Sequence, residues 1–75
     1  MKEGDHVKVI EKVDYYEYIG TVVSIASEEV KVIFTERCPI CDGSKEVWSW
    51  YEVNELSIVT DEEYRFADNM LDPNG

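Results

Sequence analysis

The stretch best equipped for chemistry is Cys38-Pro39-Ile40-Cys41-Asp42-Gly43. A Cys-x-x-Cys turn can offer two thiolates to one zinc ion, and the glycine behind it lets the backbone fold back under the metal. A closed structural zinc site is tetrahedral and takes four protein ligands. The chain has two cysteines and a single histidine, His6. A site within one chain would therefore need His6 and a carboxylate, whereas two chains sharing one ion would each give Cys38 and Cys41. Free thiols, a turn disulfide and a redox pair are the other readings. A thioredoxin-type redox pair belongs at a helix N-terminus after a βαβ unit, a context missing here.

The aromatic residues form a second group: Tyr15, Tyr16, Tyr18, Trp48, Trp50 and Tyr51, with Tyr64 and Phe66 further on. Rings exposed along a groove bind proline-rich segments or hold cationic groups by cation–π attraction. Some rings must fill the core of so small a domain. Trp48 and Trp50 are two apart, so on a strand they share a face. At least one of them is expected at the surface, and Tyr16, Trp48 and Trp50 are the expected apolar anchors.

Charge is the third feature. Seventeen acids against seven bases give a net charge of −10. That sum argues against direct binding to nucleic acid or an anionic membrane, both polyanions. Residues 46–75 hold eight of the acids and one base, Arg65. Such an excess serves solubility, or it competes for a basic groove as a mimic of a nucleic-acid backbone would. Asp61, Glu62, Glu63 and Asp68 are the acids expected to meet a partner. Catalysis finds little support. His6 stands beside Asp5 without a serine at motif spacing, and there is no phosphate loop and no His-Glu-x-x-His. His6 is expected to be a strand residue facing solvent.

These residues need a frame, and seventy-five residues supply one compact domain that buries only about 60% of its extended surface. Val7 and Val9 alternate with His6 and Lys8, a half-buried strand. Gly20 opens Thr21–Ala26, a β-branched second strand, and Ser27-Glu28-Glu29 is short enough for a hairpin. Val30, Val32 and Phe34 share one face of a third strand. Glu36–Lys45, with Pro39 and Asp42-Gly43, reads as a loop. Glu46–Tyr51 is a fourth strand, Glu52–Leu56 a turn, and Ser57–Val59 a closing strand. Thr60-Asp61-Glu62-Glu63 fits a helix N-terminus capped by Thr60. Tyr64, Ala67 and Leu71, with Met70 beside them, fall at helical spacing, and Asp72-Pro73 stops the helix. The charged N-terminus and the absence of a long apolar run predict neither a signal peptide nor a membrane span, hence a cytoplasmic protein.

The sequence Gly4-Asp5-x-Val7-x-Val9, then Gly20-x-Val22, Val30-x-Val32-x-Phe34, Trp48 or Trp50, Glu55-Leu56 and Val59 resembles SH3-like small barrels. KOW and Tudor-type modules and the barrels of photosynthetic electron-transfer complexes share this pattern. The Cys38–Cys41 turn is similar to zinc hooks. The resemblance implies a mainly all-β fold, a five-stranded SH3-like barrel over residues 1–59 with a short C-terminal α-helix over 60–72 belonging to the same domain. It also implies binding rather than catalysis. The leading expectation is an acidic adaptor or inhibitor that occupies a basic surface of a larger protein, itself a nucleic-acid-binding one in the sharpest version. A free-standing acidic domain of this size suits a bacterial or phage regulator. The alternatives are a zinc-linked homodimer through Cys38 and Cys41, and an accessory subunit of a redox enzyme.

Overall fold

A computed structural model of the chain describes residues 1–37 and 43–66. Among the described residues the fold is mostly β: five strands, β1 (His6–Val9), β2 (Ile19–Ile25), β3 (Glu29–Arg37), β4 (Ser44–Glu52) and β5 (Leu56–Ile58), with one short helix, α1 (Asp61–Arg65). All five strands join one sheet in the order β4-β3-β2-β1-β5, and each ladder is antiparallel. β4 and β5 are the two edges, so the sheet stays open and its ladder does not close into a barrel.

Alternation explains which residues lie inside. Val7, Val9, Val22, Val30, Val32 and Phe34 are fully buried, and Tyr51 and Leu56 complete the core. Burying a side chain of the Val or Phe kind is worth roughly 1.5–3 kcal/mol, and these eight come from all five strands. Gly20 makes the close packing feasible. A Cβ there would stand 2.6 Å from Phe34 Cδ1 and nearer still to the Ile33 carbonyl oxygen.

The long first loop supplies the rest of the core. Tyr15 and Tyr18 each bring their rings within 6 Å of the Phe34 ring, at 5.3 and 5.8 Å. The loop holds two non-glycine residues in the left-handed region, Tyr15 at φ 64° and Glu17 at φ 70°, at a cost of about 1–2 kcal/mol each. Several bonds offset it: the Tyr51 hydroxyl donates to the Asp14 carbonyl at 2.6 Å, and the Glu17 amide donates to Val9 O at 2.9 Å. Among the described residues Glu36 is a buried acid, at 5% exposure. The Tyr18 hydroxyl reaches its Oε1 at 3.4 Å.

One expectation changes at the strand ends. The loop read over Glu36–Lys45 is shorter, because β3 runs on to Arg37 and β4 starts at Ser44, with Glu36 opposite Lys45 and Arg37 opposite Ser44. Cross-strand pairing overrides the polar composition at these ends. The C-terminal helix spans Asp61–Arg65 among the described residues; the expected continuation through Ala67, Asp68, Met70 and Leu71 lies outside them. Its start is as read, with the Thr60 hydroxyl accepting from the Glu63 amide at 3.1 Å. No described helix is long and apolar enough to cross a membrane.

Candidate recognition face

Residues opposite one another on neighbouring antiparallel strands project from the same face. His6 pairs with Thr21, Thr21 with Ile33, and Ile33 with Trp48. One row therefore crosses four strands on the outer face, away from the core. The next row contains Ser24, Lys31 and Trp50. Between these rows β2 slips register, between Val22 and Ser24, which leaves Val23 exposed.

Both tryptophans lie open to solvent, Trp48 at 54% and Trp50 at 41%. Period-two alternation aims them together, and the interior is already filled by Phe34, Tyr51 and the loop tyrosines. Lys31 Nζ lies 4.2 Å from the centre of the Trp48 ring, a cation–π contact. Trp50 lines a shallow groove of about 310 Å³ with Ala26, Ser27, Glu28 and Glu29. Glu46 and Glu52 flank the tryptophans at every second residue of β4, and all three of Glu29, Glu46 and Glu52 are exposed. Glu29 stands directly opposite Glu52, where like charges repel. No described cation forms an ion pair with either.

The other end of the row is capped by α1. The His6 ring stacks on Tyr64, centroids 3.7 Å apart and 10° from parallel. His6 Nδ1 lies 3.1 Å from Thr21 Oγ1, and Nε2 lies 3.7 Å from Asp61 Oδ1. His6 is thus half-buried under α1 and does not simply face solvent, as the sequence had suggested. Asp61, Glu62 and Glu63 are exposed on the first turn of α1. Asp61 reaches the outer face through His6, on the strand three places from β4 in the sheet order.

Among the described residues the loop tyrosines Tyr15 and Tyr18 and the tryptophans lie on opposite sides of the sheet. Tyr15, Tyr18 and Tyr51 turn inward around Phe34, because so small a core needs their volume. Tyr16 is exposed at 42% but shares no ring contact with Trp48 or Trp50 among the described residues. Asp68, Cys38 and Cys41 lie outside the described residues, the two cysteines in the connection between Arg37 and Ser44. Among the described residues no three His, Cys, Asp or Glu side chains cluster as a metal site. Sequence reasoning missed Glu29, Lys31 and Ile33 as members of the face. Alternation in Val30–Phe34 already placed Lys31 and Ile33 opposite to the core; the β3–β4 register that sets them beside the tryptophans is tertiary.

No family model, no curated protein and no solved structure matches the chain.

Proposed function

We propose that the chain is a small acidic, non-enzymatic protein-binding module, an adaptor or inhibitor that occupies a basic surface of a larger protein. Its frame is read as an SH3-like small barrel left open at the β4 and β5 edges. The order β4-β3-β2-β1-β5, in which β5 returns beside β1, and the 3₁₀ turn at Val53–Glu55 before that strand support that reading. The observation that carries the function is the exposure of Trp48 and Trp50 on one face, bordered by Glu29, Glu46 and Glu52. Tryptophan is the residue type most enriched among interface hot spots, and it contributes most when a partner desolvates it fully. Acids around such anchors select a cationic partner and speed its approach. A nucleic-acid-binding protein offers the basic groove this face would fill.

The chain immobilised as bait tests the reading in lysate of its own host. A retained protein should be released between 50 and 500 mM NaCl, since roughly ten- to thousandfold enhancements of association from steering collapse with ionic strength. Trp48→Ala with Trp50→Ala should lower its retention at least about tenfold, the loss of about 1.4 kcal/mol or more. Neutralising Asp61, Glu62 and Glu63 together should weaken it further. Retention that survives both high salt and loss of the two indoles would end the proposal.

A further inference from the structure

The sheet has two edges of very different kinds. β5 is three residues long, while β4 presents nine, Ser44–Glu52. In an antiparallel pair, alternate residues turn their N–H and C=O groups away from the neighbour. Along β4 these groups meet no further strand among the described residues. Exposed edges are ordinarily blunted by proline, a bulge, a central lysine or shortness. Val47-Trp48-Ser49-Trp50-Tyr51 has none of these, and its nine-pair register with β3 is unbroken, unlike that of β2 with β3. Its charges stand only toward the ends, at Lys45, Glu46 and Glu52.

We infer that the free edge of β4 receives an extended segment of the partner protein as a sixth strand, with lysine or arginine at every second position. This rests on the reading of the outer face as a basic-surface binder and adds how the contact is made. Charge decides the occupant. A second copy of this chain would bring another −10 and set its own Glu46 and Glu52 near the same residues. A basic strand does the opposite. Its alternate side chains all project from one face, so in the register that matches the pleat its cations lie beside Trp50 and Trp48, competing with Lys31 for the Trp48 ring. Directly opposite side chains are about 4.5–5.5 Å apart at Cβ, within reach for cation–π contact. Glu46 and Glu52 then sit at the ends of the cationic row, and Glu29 behind it. The backbone ladder supplies affinity while alternation supplies selectivity, the division of labour in strand addition.

The test uses the full chain and a nine-residue peptide alternating threonine and lysine, blocked at both ends. Two further versions carry N-methyl groups, one on every lysine amide and one on every threonine amide. Only one of these two sets can face β4. Expected are binding of the parent peptide, a loss of at least about tenfold for one methylated version, little change for the other, and slowed exchange of alternate β4 amides. Equal binding of all three peptides, with Trp48 and Trp50 emission still responding, would overturn strand addition and leave basic-surface binding standing. A peptide that fails to bind while a host protein is retained through the tryptophans would do the same. A peptide-free dimer with protected β4 amides would assign the edge to a second copy and overturn the inference. Loss of the salt- and tryptophan-dependent retention itself is the separate result that removes the underlying reading.

Discussion

Tyr51 ties the far end of β4 to the first loop. Its ring meets Phe34 edge-on at 6.1 Å and 87°, and its hydroxyl donates to the Asp14 carbonyl. Burial pushes the phenol up to about 12 from 10.0; the negative charges of Asp14, Tyr15 and Glu55 act in the same direction, against a hydrogen bond from Ser49. The folded state therefore favours the neutral phenol. Its stabilising contribution is whole below pH 10 and is lost as pH rises from 10 through 12, because the unfolded chain releases its proton first. Two pH units correspond to about 3 kcal/mol at most. Tyr51→Phe should cost about 1 kcal/mol at pH 8 by leaving the Asp14 carbonyl without its donor. Urea unfolding followed by tryptophan emission should show this gap closing, then reversing, as pH approaches 11.5. Parallel stability curves for the two proteins would show that the phenol remains protonated in both states, or titrates in both alike.

The five residues of α1 cannot hold a helix in water on their own, so its contacts with β1 must do so. The Tyr64 stack on His6 and the Asp61–His6 approach are those contacts, and the Thr60 cap adds a local bond at the helix start. Tyr64→Ala should collapse amide protection at Tyr64 and Phe66, whose amides bond to Thr60 O and Glu62 O. Global stability should change by less than about 1 kcal/mol, because Tyr64 is exposed and its pairing is a surface one. A drop of several kcal/mol in unfolding free energy would mean that α1 is part of the core. This dependence also separates what the sequence revealed from what it hid. The strands with strict alternation, Val7 and Val9, then Val30, Val32 and Phe34, were readable because burial on one face imposes a period of two. The cap at Thr60 was readable because its chemistry is local. The ends of β3 and β4 were not, since Glu36, Arg37, Ser44 and Lys45 become strand only by facing each other. Nor was the inward turn of Tyr15 and Tyr18, because a loop has no period from which to read side-chain direction. Of the face itself, the tryptophan pair was readable from spacing and its neighbours on β3 were not.

A net charge of −10 on seventy-five residues acts on the molecule in two opposite ways. Alone, the folded chain packs repelling carboxylates closer than the unfolded one does, as at Glu29 and Glu52. In complex with a basic surface, the same carboxylates attract. Salt shortens the screening length from about 30 Å at 0.01 M to about 10 Å at 0.1 M, so it should stabilise the free fold and weaken the complex. For a domain of this size each 1 kcal/mol moves the melting temperature by about 4–8 °C. Tm of the free chain should accordingly rise by several degrees between 10 and 500 mM NaCl, while partner retention falls. Replacing Glu29 and Glu52 with glutamine should raise Tm at low salt, flatten its salt response and reduce partner retention in the same protein. That opposition ties the argument to charge specifically. If the double variant lost both stability and binding, Glu52 would be acting through its cap on the Val53–Glu55 turn, where its side chain accepts from the Glu55 amide, and the face would owe its selectivity to the indoles alone.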